Sequence, residues 1–254
     1  ELHQPTTWVP NSSCTPVDII HWNSPRRCTV APTRLPKLIP RKPVAVPEDF
    51  AGYVMLLPHW EQELLQHINW ILEPFEIMHY LHKQGSSEDF RLLIVSDGSS
   101  IDTTAMSFGL VIGSSSNQIL LEAMGPAWGQ PSSHRAECTG CLAGALIIQH
   151  LSKFTMQQFP ENLQFKILSD NQGMIKSLTQ RRTYSHPYPN STLNPDWELV
   201  EEIHHTYQSV TTTGLSFEWI RGHQDRTTLA SLSVEAKFNI RADHLAGDYC
   251  VMVE

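Results

Sequence analysis

Four carboxylates in this chain occupy positions where an acid is expensive. Asp97 ends the run Leu92-Leu-Ile-Val-Ser, and Asp170 ends Phe165-Lys-Ile-Leu-Ser. Glu137 opens a mostly apolar stretch rich in Ala, Gly and Cys, and Asp243 lies in the last periodic segment. A charge at the end of a buried strand costs free energy unless something compensates it. Carboxylates brought together also raise one another's pKa unless cations neutralise them. One chemistry needs such a group: phosphodiester hydrolysis with two divalent ions roughly 3.5–4 Å apart, which activate a water and stabilise the leaving oxygen. Ligands that are all oxygen suit Mg²⁺, a hard cation that keeps several of its waters. Each acid alone has an ordinary reading, Asp97-Gly98 for example as an Asp-Gly turn. Four facing one spot do not share one.

The elements that must position them follow from the hydrophobic pattern. A continuous apolar run such as Leu92–Val95 reads as a strand buried on both faces. Ser107–Ile112 and Gln118–Met124 read as the next two strands, joined by the hairpin loop Gly113-Ser-Ser-Ser-Asn117. A helix over about 134–154 is apolar nearly all round, so it is buried, and its small residues allow close approach to a sheet. Phe165–Leu168 is a fourth strand, and strand–helix–strand over that length implies a parallel crossover. Helices over about 172–180 and 196–208, a fifth strand over 215–220 and a last helix over 232–249 complete the pattern. The expected fold is α/β: a mixed five-stranded sheet, three antiparallel strands plus two parallel, with helices on both faces. Its first and fourth strands are central neighbours, which sets Asp97 beside Asp170.

Ahead of this, leucines and isoleucines at 64, 65, 68, 71 and 72 recur at helical spacing, so a helix is expected over about 59–83, with Pro74 breaking or kinking it. Trp60 and Trp70 are expected to cover the core, and His204 and His205 to lie on a helix surface in solvent. Cys138 and Cys141 read as core packing rather than a metal pair. Gly98 is expected to let the chain turn and a ligand approach the backbone.

The chain has 254 residues, 41% hydrophobic and 17% charged, with no apolar run long enough for a bilayer. Five cysteines form an odd, sparse set unlike a disulfide scaffold, so a reducing, intracellular setting is expected. It begins with Glu and shows no signal-peptide pattern, as a piece of a longer product would. Residues 1–47 hold six Lys/Arg and two acids, a balance of +4, whereas residues 48–254 hold twelve and twenty-four, a balance of −12. The acidic part argues against strong unassisted nucleic-acid binding. The Pro-rich basic start reads as a linker or arm.

Taken together, Ser96-Asp97-Gly-Ser, His134-Arg-Ala-Glu137, Ser169-Asp170-Asn, Gly222-His223-Gln-Asp and Asn239-Ile-Arg-Ala-Asp243-His-Leu-Ala resemble the type 1 ribonuclease H family. The last two elements are most similar to the ribonuclease H domain of eukaryotic retroelement reverse transcriptases. The resemblance covers about 90–250. It implies a ribonuclease H-like fold and an endonuclease that hydrolyses the RNA strand of RNA–DNA hybrids by a two-metal mechanism. It implies Asp97, Glu137, Asp170 and Asp243 as ligands of two Mg²⁺ ions, with Mn²⁺ as a substitute, and His223 as a loop group assisting proton transfer or product departure. Gly98, Ser133 and Gln172 match positions that meet the minor groove and the RNA 2′-hydroxyls, the feature that separates RNA from DNA. The implied partners are an RNA–DNA hybrid and a polymerase domain outside this chain, in a retroelement polyprotein and with no membrane. No Tyr-x-Asp-Asp polymerase signature is present. The expected division is 1–58 an arm or linker, 59–89 a helical connection segment and 90–254 the ribonuclease H domain. The alternative in another class is a catalytically inactive hybrid-binding domain with the same fold.

Overall fold

In the computed structural model, residues 47–85, 87–101, 105–184, 191–210, 214–224 and 231–253 are described. The expected arm up to residue 46, the loop residues 225–230 and most of the Pro-rich stretch around 185–190 lie outside them.

The sheet is built around β2 (Arg91–Ile101), which pairs antiparallel with β3 (Ala105–Ser114) and parallel with β5 (Gln164–Ser169). Antiparallel β4 (Ile119–Pro126) follows β3, and parallel β6 (Leu215–Trp219) follows β5. These are the five expected strands in their expected senses. The sheet has six, because β1 (Ile68–Trp70) pairs antiparallel with β4. The order across the sheet is β1-β4-β3-β2-β5-β6.

That extra strand corrects the expected helix over 59–83. Instead α1 (Phe50–Val54) and α2 (His59–Leu65) are followed by β1 and then by α3 (Pro74–Gln84). Pro74 does not break a helix; it opens one, where its missing N–H is no loss. Glu73 and Glu76 form a reciprocal capping box around it. Ile68, Trp70 and Ile71 are β-branched or aromatic and fit a sheet edge better than a helix. Trp70 packs on the core, but Trp60 is 40% exposed.

Alternation along β2 separates the two layers. Leu92 and Ile94 join the cluster under α4 (Ser133–Thr155), α5 (Gln172–Arg181) and α6 (Trp197–Val210). Leu93 and Val95 face the other way, with Phe238, Ala242 and Leu245 of α7 (Val234–Val253). This is the period-two pattern of a strand buried on both faces. Cys138 and Cys141 are buried free thiols in the first layer. His204 corrects its expected place: it is buried on α6, and burial with the neighbouring Arg181 charge lowers its pKa, whereas His205 is exposed. Phe50, Val54, Leu64, Ile77 and Leu81 share the core of the first layer, so residues 50–84 pack directly on the sheet. His150 of α4 ties this segment down, contacting the Tyr53 hydroxyl at 2.8 Å and Glu61 at 2.6 Å. Among the described residues, no helix is long and apolar enough to cross a membrane.

Candidate active site

The ladder between β2 and β5 stops at Val95 and Leu168. Beyond it β2 continues while the chain leaves β5 into α5, and there the acids gather. Asp97 lies on β2 opposite Gly109, Asp170 immediately follows β5, and Glu137 is in the first turns of α4. Ligand oxygens of Asp97, Glu137 and Asp170 all lie within 4.8 Å of one another, the one such group of three or more among the described residues. Asp243, half-buried on α7, is outside that group, yet it is near enough for its charge to act on Asp97.

Electrostatics reflect the crowding. Asp97 is 7% exposed and Glu137 2%. Burial, reinforced by Asp170 and Asp243, pushes Asp97 up to about 7 against the opposing hydrogen bond from the Gly98 N–H. Burial and then the Asp97 charge push Glu137 up to about 9, with Asp170 adding to the rise and the hydrogen bond from Ser169 opposing it. Such acids bind protons at neutral pH until something more positive replaces them. All-oxygen donors at this spacing fit a hard divalent cation, and no nitrogen or sulfur ligand intrudes among the described residues.

Close packing makes the convergence possible. A Cβ on Gly98 would stand 2.6 Å from the Glu137 nitrogen and 2.7 Å from the Ala136 Cβ. Gly98 therefore admits the start of α4 against β2. It is not in a turn, since β2 runs on to Ile101. Its N–H donates to Asp97 Oδ1 at 2.7 Å. Ser132 caps α4, accepting from the Arg135 N–H at 3.0 Å, and Asn171 caps α5, accepting from the Met174 N–H at 3.0 Å. Ser133 and Gln172 are the exposed first residues of these two helices. The first turns adjoin, because a Cβ on Gly173 would lie 3.3 Å from the His134 ring. His223 is exposed, with a φ of 50°. Its neighbour Gly222 abuts Asp170, so that a Cβ there would fall 1.8 Å from Oδ2.

Other side chains join the site without having been expected. Asn239, buried on α7, directs Nδ2 toward Asp97 Oδ2 at 3.5 Å, and its own Oδ1 has no partner. Its place one helical turn before Asp243 was a legible signal. Ser169 donates to Glu137. The Trp219 indole donates to the Asp170 carbonyl at 2.8 Å, a long-range contact that local spacing does not encode. At the rim, Asp196 accepts from Arg135 at 2.5 Å and contacts His134 at 2.9 Å, fixing the outer face of α4's first turn.

No family model matches the chain, and no curated protein matches it. Among solved structures it is similar to ribonuclease H1 from the halophilic archaeon Halobacterium salinarum (17% identity, 64% of this chain and 98% of that one, TM-score 0.42). It is also similar to the PFV ribonuclease H domain (17%, 64% and 96%, TM-score 0.45). A third is LC11 ribonuclease H1 in complex with an RNA/DNA hybrid (16%, 62% and 95%, TM-score 0.44). At these scores the functional reading rests on the residues of this chain.

Proposed function

We propose that this chain is a metal-dependent endonuclease of the ribonuclease H type, hydrolysing the RNA strand of RNA–DNA hybrids. The observation that carries the reading is the meeting of Asp97, Glu137 and Asp170, from three separate elements, with ligand oxygens within 4.8 Å. The order of the motifs around these acids, which resembles the type 1 ribonuclease H family, supplies the substrate class.

In this reading Asp97, Glu137, Asp170 and Asp243 hold two Mg²⁺ ions, for which Mn²⁺ can substitute. When bound, the ions supply an activated water and neutralise charge at the leaving oxygen. Residues of the chain do the rest. Asp97 and Glu137 give up their protons as the cations enter. Gly98, Ser133 and Gln172 belong to the face that meets the minor groove, and the exposed helix-initial positions of Ser133 and Gln172 support this. His223, carried next to Asp170 by Gly222, moves a proton or eases product departure. Residues 90–254 form the nuclease and 59–89 a connection segment packed on it; residues 50–58, expected in the arm, join that segment through the core contacts of Phe50 and Val54, which leaves the basic arm to the residues ahead of them. The Gly222-His-Gln-Asp and Asn239-to-Ala246 elements favour a retroelement polyprotein inside the cell, with a polymerase domain as partner.

The test is incubation of a hybrid labelled on either strand, with Mg²⁺ or with chelator. Internal cuts confined to the RNA strand and to Mg²⁺ are expected. Tight hybrid binding without cleavage in Mg²⁺ would favour the inactive, hybrid-binding alternative.

A further inference from the structure

Ser169 is fully buried at the end of β5, and its hydroxyl sits at the junction of three elements. The Asn171 N–H donates to Ser169 Oγ at 3.0 Å, and the hydroxyl in turn donates to Glu137 Oε2. A backbone N–H can only donate, so that bond occupies one acceptor site on Oγ and leaves the hydroxyl proton to be directed elsewhere. With no solvent at a fully buried hydroxyl, the carboxylate is the partner the geometry offers. The backbone of Ser169 is also held, since its carbonyl accepts the Ile220 N–H at 3.1 Å beyond the end of β6. Asn171 is itself the cap of α5. The chain of bonds thus runs from the start of α5, through Ser169, to a carboxylate on α4.

The other side chain hydrogen-bonded to Glu137 is the Asp170 carboxyl, itself an acid of the cluster, which leaves Ser169 as the neutral donor. Glu137 is 2% exposed and stands on a helix packed against β2, while Asp97 has the Gly98 N–H and Asn239 for partners. A long carboxylate beside two others needs a donor to hold one rotamer, and outer-shell donors of this kind orient ligands and raise metal affinity.

We infer that Ser169 is the positioning residue of the carboxylate cluster, fixing Glu137 for the cation through its hydroxyl and registering it against the start of α5. The inference rests on the proposed metal-binding reading of the cluster and deepens it. Ser169 does not touch the reacting atoms; it acts through Glu137.

The test is calorimetric titration of the whole chain with Mg²⁺, and separately Mn²⁺, without nucleic acid, alongside thermal unfolding. Ser169→Ala removes the hydroxyl and little volume, and it is expected to weaken metal affinity about tenfold, the lower end for loss of such a donor. Ser169→Thr keeps the hydroxyl and is expected to restore most of that loss. A purely structural serine predicts another result: a lower unfolding temperature in Ser169→Ala with unchanged metal affinity. That outcome overturns the assignment while leaving the cluster a metal site. Absence of metal binding by the unaltered chain overturns both. If Ser169→Thr fails to fold, the Ser169→Ala titration decides alone.

Discussion

Gly98 and Glu137 are in contact through the space of a missing side chain: a Cβ on Gly98 would lie 2.6 Å from the Glu137 backbone nitrogen. The strand that carries one acid and the helix that carries another therefore touch main chain to main chain. Small residues permit such an approach, and an added methyl can be relieved only by moving the helix, because the nearest atoms are backbone and Ala136. Gly98→Ala is expected to destabilise the fold by about 1–3 kcal/mol, the usual range for overpacking. It should also weaken Mg²⁺ binding by drawing Glu137 away from Asp97. Unfolding in denaturant and calorimetric titration would check both, and wild-type values in both would show that α4 does not need this approach.

Gly222 poses the same steric problem against a different kind of neighbour. The atom a Cβ would strike is Asp170 Oδ2, the far end of a side chain that can rotate. Gly222→Ala is therefore expected to spare stability and to displace the carboxylate. The prediction is a clear fall in Mg²⁺ affinity with an unfolding temperature close to wild type. A large loss of stability with intact metal binding would mean that the loop gives way and Asp170 stays.

The raised pKa values of Asp97 and Glu137, about 7 and about 9, dictate how stability depends on pH. Unfolded, both acids titrate near 4. The folded metal-free chain therefore holds protons that the unfolded chain has released, and stability falls as pH rises wherever the folded state binds more protons. The contribution is complete below about pH 4, is lost progressively as pH rises above that, and is gone once pH has passed about 7 for Asp97 and about 9 for Glu137. Mg²⁺ should oppose the trend, because it replaces the departing protons. Thermal unfolding of the metal-free chain is expected to decline from about pH 6 to about pH 9, and added Mg²⁺ to raise it most at the alkaline end. A metal-free profile that rises over the same interval would contradict the cluster's electrostatics.

His223 is exposed and belongs to no group of metal-binding acids among the described residues. His223→Ala is expected to slow cleavage about 10²-fold, the lower end for a general acid or base, with Mg²⁺ affinity unchanged. Titration of this variant separates the roles. Weakening comparable to that of Asp97→Asn would make His223 a ligand.

The sheet was legible because its signals are local. Leu92–Val95 and Phe165–Leu168 are short apolar runs ending in an acid, and the strand–helix–strand spacing required them to be parallel neighbours. The gathering of Asp97, Glu137 and Asp170 followed from that placement together with the motifs around them. What escaped reading depends on distant partners. Ile68–Trp70 carries helical spacing, but β4 offers an open edge and takes it as a strand. Gly98 looked like a turn, and only the arrival of α4 explains it as a contact. His204 and His205 are adjacent and chemically alike, and only the packing of α6 buries the first. Trp219 reaches Asp170 across 49 residues, where no periodicity operates.

If the three gathered carboxylates form one catalytic centre, Asp170→Asn must disable it. Asp170 raises the pKa of both Asp97 and Glu137, so removing its charge relieves repulsion in the metal-free state. It also deletes a ligand. Cleavage of a labelled RNA–DNA hybrid in Mg²⁺ should be measured for both chains beside their thermal unfolding. Loss of RNA-strand cleavage in Asp170→Asn, with an unfolding temperature equal to or above wild type, is the predicted result. Wild-type cleavage by the pure Asp170→Asn protein would contradict it.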